Sequence, residues 1–309
     1  MMAHIARRLL QLIPIALLVA TLVFSLIHLI PGDPVELMLG DGAQAADVTA
    51  LRSALGLDQP LWLQYLRFLD GLLKGDLGQS LHYQRPVAAL LFEHYPATLE
   101  LAFASMLVAF LIAAPLGFAA ALHRDRALDH FSRFFALLGV SLPNFWLGPV
   151  LILIFAIYWR WLPVSGRDGW QSLVLPAITL GTALAGLLTR MIRSSLAEEL
   201  HRPYVLTAQA KGLVRNQAVL RHAVKNALIP VVTIVGLQFG ALLTGAIITE
   251  TIFSWPGLGR LVIQAIRLRD YPLVQGGVLL ISMTYVVINL LTDLIYATLD
   301  PRIRFQKSR

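Results

Sequence analysis

The sequence predicts an all-α integral membrane protein that crosses the bilayer six times with both termini on the cytoplasmic side. Three observations carry this. Only 14% of residues are charged while 57% are hydrophobic, with a mean hydropathy of +0.69. A soluble domain carries about 25% charged residues. Six apolar runs reach the ~20 residues needed to cross ~30 Å of hydrocarbon, and Lys and Arg are distributed asymmetrically around them.

The runs fall at 9–30, 98–122, 134–158, 173–192, 228–249 and 273–297. The first follows His4, Arg7 and Arg8 like the apolar part of a signal peptide, but is longer than the usual ~7–15 residues and lacks a small-x-small exit. It reads as a retained span. Pro14, Pro115, Pro149 and Pro176 lie in or near spans, where neighbouring helices satisfy the carbonyls that proline frees.

Orientation follows from counting cations. The flanks that hold Arg7, Arg8, Arg124, Arg126, Arg133, Arg190, Arg193, Arg202, Lys211, Arg215, Arg221, Lys225 and the tail cations carry 16 of the 25 basic residues. That side is cytoplasmic. Three arginines after span five (Arg260, Arg267, Arg269) sit on the other side and are outweighed. The same clustering explains the net charge of +7 and argues against nucleic acid as a partner.

This gives four regions: 1–30, an N-terminal segment with the first span; 31–97, an external segment; 98–297, a core of five spans with a cytoplasmic loop at 193–227; and 298–309, a short basic tail. The external segment opens on the turn signal Pro31-Gly-Asp-Pro34 and continues with amphipathic stretches at 48–57 and 61–73. The second, with Trp62, Tyr65, Phe68 and Leu72 at helical spacing, suits a helix on the membrane surface or a docking face. The later external loop holds Trp255 and Tyr271, residues that suit an interfacial belt. Its apolar content also allows a short helix folded over the mouth of a pathway.

Catalytic chemistry is hard to find. There is no phosphate-binding G-x-x-x-x-G-K-[ST] loop, no H-E-x-x-H, no G-x-S-x-G and no cysteine, and the eight histidines are scattered. No row of intramembrane charges suggests a proton relay; Glu100 and Glu250 lie near external span ends and Asp293 in the last turns of span six. The polar positions at depth are Ser141, Asn144, Thr179, Gln238 and Thr244, candidates to line a pathway.

The loop Tyr204-Val-Leu-Thr-Ala-Gln-Ala-Lys-Gly-Leu213 is longer than a connection needs. Pro203 suits the first turn of a short helix over 203–211, and Gly212 can take the left-handed conformation that ends it. The small Ala208 and Ala210 permit close approach by another protein, and a basic helix with Arg215, Arg221, His222 and Lys225 leads back to span five.

Thr207-Ala208-Gln209-Ala210 with Gly212 resembles the cytoplasmic coupling motif of ABC-importer permeases; Thr207 stands where the general motif has an acid, as is usual in the peptide and nickel branch. That branch is also resembled by Leu29-Ile-Pro-Gly-Asp-Pro34, Leu55-Gly-Leu-Asp-Gln-Pro60, Arg85-Pro-Val87, Pro96-Ala-Thr-Leu-Glu100, Leu138-Gly-Val-Ser-Leu-Pro-Asn-Phe-Trp146, Phe253-Ser-Trp-Pro-Gly-Leu-Gly-Arg260, Arg269-Asp-Tyr-Pro272 and Leu299-Asp-Pro-Arg302. The stretch at 138–146 is nearest to nickel members, and Gly236-Leu-Gln-Phe-Gly240 to peptide and glutathione members.

The resemblance implies a type I ABC importer permease fold in a bacterial inner membrane. It implies a B-type permease that pairs with a second homologous permease as a heterodimer, with two ATP-binding cassette ATPases and with an external solute-binding protein. The cargo would be di- or oligopeptide, glutathione, or nickel or a metal chelate. ATP and Mg would be used by the partner subunits, with no cofactor or metal held by this chain. By the same resemblance Tyr204, Thr207, Ala208, Ala210, Lys211, Gly212 and Arg215 would couple to the ATPase; from the apolar content of their loop, Trp255, Pro256 and Gly257 are candidates for an external gate. An ion-coupled carrier or a non-transport membrane scaffold are the alternatives; transport by the purified chain without an ATPase would favour the first, and ATP-independent association with many unrelated proteins the second.

Overall fold

A computed structural model describes residues 2–29, 34–39, 44–54 and 56–299. The Pro31–Asp33 turn, Leu55 and the tail beyond Leu299 lie outside the described residues, as do the side chains of Arg215 and Thr244. Every regular element described is helical, with one isolated bridge between Gln79 and Pro86. Among the described residues four helices are long and apolar enough to span a membrane, or five with one bent pair, and Leu10–Ser25 is a shorter apolar helix.

The chain divides into two compact units, residues 1–97 with 257–286, and residues 98–256 with 287–309. In the first, α1 (Met2–Leu29) is followed by α2 (Pro34–Leu39), α3 (Ala45–Ala54) and α4 (Leu61–Lys74). Helix α4 leans on α1: the Phe24 ring meets Tyr65 edge-on at 5.2 Å, and the Thr21 and Tyr65 hydroxyls are 2.7 Å apart. Its opposite side leaves Leu61, Trp62, Leu66 and Leu73 exposed. Helix α5 (Val87–Leu122) begins well before the expected start at 98. Its first turns pack through Val87, Leu90 and Leu91 on the apolar stripe of α12 (Leu258–Arg267) and on Leu273 at the start of α13 (Tyr271–Leu299). Fully buried Asp270 accepts the Ser80 hydroxyl at 2.5 Å and the His82 N–H at 3.2 Å, which fixes the loop before α5.

The second unit is built around α8 (Trp170–Glu199), which packs against α6 (Ala127–Ser141) and α11 (Val224–Ile252). Lipid gives helices no hydrophobic reason to associate, so close backbone approach must supply the attraction. A Cβ on Gly186 would lie 2.4 Å from the Ala136 carbonyl on α6, and one on Gly181 would lie 2.6 Å from the Ser105 carbonyl on α5. Three buried hydroxyls in these spans are satisfied locally: Thr179, Thr189 and Ser105 each donate to the carbonyl four residues back.

The third span departs from expectation. It is not a continuous helix over 134–158: α6 ends at Ser141, α7 (Asn144–Leu151) starts anew, and the two are bent by 101°. Proline disfavours helical backbone in the residue before it, and Leu142 before Pro143 is extended, at φ −81° and ψ 117°. Helix α7 then widens into a π-helical stretch over Ile152–Tyr158.

Candidate functional site

Helix α9 (Pro203–Ala210) owes both ends to single residues. At its start Arg202 is held extended (φ −70°, ψ 141°) by the following Pro203, which itself occupies the first turn where no N–H is needed. At its end Gly212 has φ +94°. The Leu213 N–H donates to the Ala208 carbonyl at 3.2 Å and the Gly212 N–H to the Gln209 carbonyl at 2.9 Å. This is the paired 6→1 and 5→2 closure of a helix through a left-handed residue. The chain then re-enters helix at α10 (Arg215–Ala218), passes a π-helical stretch over Val219–Ala223 and continues into α11.

The inner face of α9 is Val205 and Ala208, buried with Ala121 of α5, Leu196 and Ala197 of α8, and Ala218, Val219, Ala223 and Ala227 of the returning helix. The structure therefore corrects the sequence reading of Ala208. Its small side chain serves packing within the chain, because position 208 shares the inward side of the helix with 205. Ala210, Thr207, Lys211 and Gly212 do lie on the exposed side. They are joined by apolar residues that the sequence reading passed over: Leu206, Val214 and Leu220 are 56%, 62% and 68% exposed. Arg215 belongs to α10, with its side chain outside the described set.

Polar links tie α9 to its two stems. Arg202 Nη2 is 2.6 Å from Glu198 Oε1 at the end of α8. The Tyr204 hydroxyl donates to Glu199 and accepts from Asn226 Nδ2 at 3.0 Å, bridging α8 to α11. Partial burial first, and the hydrogen bond to Glu199 second, push the Tyr204 phenol above its ordinary range, so it stays a neutral donor. The Ser195 hydroxyl donates to the Ala227 carbonyl at 2.8 Å. The loop is thus held by α8 on one side and α11 on the other.

A second clasp reaches α8 from α6. Arg193 grips fully buried Asp129 with Nε at 2.5 Å and Nη2 at 2.7 Å, one bond to each carboxylate oxygen. Arg133 Nη2 and the Asp125 N–H add contacts at 3.0 Å each. The i,i+4 pair of Asp129 and Arg133 is visible in the sequence, whereas Arg193, 64 residues away, is brought there only by the fold.

Of the pathway candidates, Asn144 and Gln238 share one cavity of about 270 Å³ with the apolar Val140, Leu180, Leu184 and Leu242. Thr179 does not line it: its side chain is fully buried in the α7–α8 seam and its hydroxyl is spent on Leu175. Ser141 is exposed at the end of α6 and is not among the residues that line this cavity.

The expectation that Trp255 belongs to an interfacial belt is also corrected, since that ring is fully buried, with the Arg167 guanidinium 5.8 Å from its centroid. Nearby Phe253 is buried too and accepts the Gly166 N–H at 3.0 Å. The exposed aromatic residues at this end are Tyr158, Trp159, Trp161 and Trp170. Pro256 is half-buried, and Gly257 is buried and caps α12.

Residues 113–305 match the family described as "Binding-protein-dependent transport system inner membrane component", and residues 1–102 match the corresponding N-terminal family. The chain is 44% identical over 306 residues to the glutathione transport system permease protein GsiC of Salmonella paratyphi A, across 99% of this chain and 100% of that one. It is 42% identical over 306 residues to the protein of that name from Escherichia coli, with the same shares covered. Among solved structures it resembles the inward-facing MetNI methionine ABC transporter, with TM-score 0.55 and 20% identity, over 68% of this chain and 96% of that chain. An amino acid ABC transporter gives TM-score 0.52 and 14% identity, over 69% and 94% of the two chains. These likenesses show the fold.

Proposed function

As a member of the binding-protein-dependent transport system inner membrane component family, this chain is the permease subunit of an ABC importer, and we propose that it forms half of a translocation pathway for small peptides of the glutathione class. It works with ATPase and binding-protein subunits and is not itself an enzyme. In our reading it pairs with a second, homologous permease in a bacterial inner membrane, crosses that membrane six times, and has two ATPases on the cytoplasmic side to bind ATP and Mg.

The observation that carries the mechanism is the form of α9. Its inner face is fixed to the ends of α5, α8 and α11, and its outer face presents Thr207, Ala210, Lys211 and the apolar Leu206 to a partner. A groove in the ATPase that holds this outer face would move α9 as a rigid piece when nucleotide closes the ATPase pair. The stems transmit the displacement to the spans, and the pathway opens alternately to either side. The turn at Trp255, Pro256 and Gly257 would then close the outer end.

Because the natural chain has no cysteine, Ala210→Cys provides a unique thiol. Its maleimide labelling is expected to slow at least about tenfold on assembly with the ATPase, since interface burial excludes water and reagent, while Tyr83→Cys labels unchanged. Equal labelling of Ala210→Cys with and without the ATPase would overturn the docking.

The cargo reading rests on the named relatives and on the cavity of Asn144 and Gln238. Two amide side chains in apolar walls can exchange hydrogen bonds with peptide groups, and the described residues of that wall are otherwise apolar, which keeps the hold weak enough to release. That chemistry suits a small peptide better than a bare metal cation. Replacing both by leucine is expected to lower glutathione uptake about fivefold per lost hydrogen bond, with the binding protein unchanged. Unaltered uptake would remove the pair from the pathway.

A further inference from the structure

We propose that a cavity of about 450 Å³ beside α9 binds the headgroup phosphate of an anionic phospholipid. The proposal rests on the reading that the arginine-rich helix ends face the cytoplasm, and is independent of cargo.

The wall carries four basic side chains, His123, Arg124, Arg126 and His201. The carboxylates nearby are already committed, Glu198 and Glu199 to Arg202 at 2.6 Å and 3.7 Å. Asp129 is gripped by Arg193 and Arg133, and Asp125 lies 3.6 Å from Arg133 and 3.7 Å from Arg124. Arg126 has no carboxylate within ion-pair distance among the described residues. Each imidazole donates its Nδ1–H to a carbonyl of its own helix, His123 to Ala119 at 3.0 Å and His201 to Ala197 at 2.7 Å, which leaves Nε2 as a lone-pair acceptor for a headgroup hydroxyl. Arg126 is thus a guanidinium short of counter-charge, with Arg124 beside it sharing Asp125 with Arg133, and a phosphate answers this because a guanidinium matches its oxygens in bidentate geometry.

Two features favour a lipid over free phosphate. The rim is apolar, with Leu122, Leu200 and Leu206 beside the basic groups. Two residues beyond Arg126, α6 exposes Leu128, Phe131 and Phe134 at successive turns, a track on which an acyl chain can lie. Basic pockets between cytoplasmic helix ends suit anionic headgroups. Leu206 and Gln209 of α9 line the same cavity, so a headgroup there touches both the end of α5 and α9.

The test uses the complete transporter, purified from vesicles of equal phosphatidylglycerol and phosphatidylcholine, with retained lipid measured by native mass spectrometry. Wild type is expected to keep phosphatidylglycerol preferentially, and the Arg124→Ala/Arg126→Ala variant to lose retention by about fivefold per arginine. The corresponding double lysine variant should restore most of it, which separates charge from misfolding, and Arg85→Ala should match wild type. Unchanged retention in the alanine double variant overturns the proposal. Displacement of the lipid by millimolar inorganic phosphate would overturn a lipid in favour of the free ion. Loss of the ATPase from the double variant with lipid retention intact would mean that the cavity receives an acidic protein surface, and would equally overturn it.

Discussion

Gly212→Val is expected to cut ATP-driven uptake to below about a tenth of wild type while the protein reaches the membrane at normal levels. The reason lies in the backbone. Gly212 sits at φ +94°, and a Cβ placed there would meet nothing within 4 Å. No neighbour is hit, so the cost is conformational, about 1–3 kcal/mol for a side chain in this region and at the upper end for a β-branched one. The chain relieves that strain by leaving the left-handed conformation. The two closing bonds, from Leu213 to Ala208 and from Gly212 to Gln209, then break. Leu213 also loses its place against the cluster of Val205 and Ala208. Helix α9 keeps its stem on α8 but loses its fixed angle to the returning helix. If a partner drives the spans through α9, that angle is what transmits force. Gly212→Asn should retain most uptake because asparagine tolerates positive φ, and Gly212→Ala should fall between. ATPase activity should persist in all three, with its stimulation by the binding protein lost in the valine variant. Normal uptake by Gly212→Val would show that α9 does not work as a lever.

The glycine was legible in the sequence because its role is local: a short helix, a glycine and a new helix dictate one turn. Long apolar runs were legible for the same reason, but the end of α6 was not: a single run over 134–158 was expected, because apolar residues on both sides of Pro143 disguised the 101° bend. The direction in which a small residue faces was not legible. Ala208 and Ala210 look alike in the sequence, yet one is buried against α5 and α8 and the other is exposed. Close approach to a partner and close approach within the chain call for the same side chain. Trp255 illustrates a second limit. A tryptophan near a membrane face suits the interface on composition alone, but the fold buries this one and leaves Trp159, Trp161 and Trp170 exposed. Asn144 and Gln238, 94 positions apart in the chain, meet at one cavity only because α7 restarts after the bend.

Asp129→Ala is expected to cost about 3–5 kcal/mol, the range for removing one member of a buried ion pair, and to leave little assembled protein in the membrane. Asp129 is fully buried and holds the guanidinium of Arg193 through both oxygens, with Arg133 beside it. Without the carboxylate, two cations face each other across the α6–α8 seam and the Asp125 N–H loses its acceptor. Exposed pairs such as Lys74 with Asp70 should contribute far less, up to about 1 kcal/mol. The decisive measurement is a double-mutant cycle. If the loss in Asp129→Ala comes mainly from stranding Arg193, then Asp129→Ala/Arg193→Leu should recover much of the thermal stability in detergent, because an apolar pair needs no counter-charge. Recovered stability without recovered uptake would show that the clasp also holds α8 in the position from which α9 is driven. If the single variant melts with wild type, the clasp contributes nothing to holding α8.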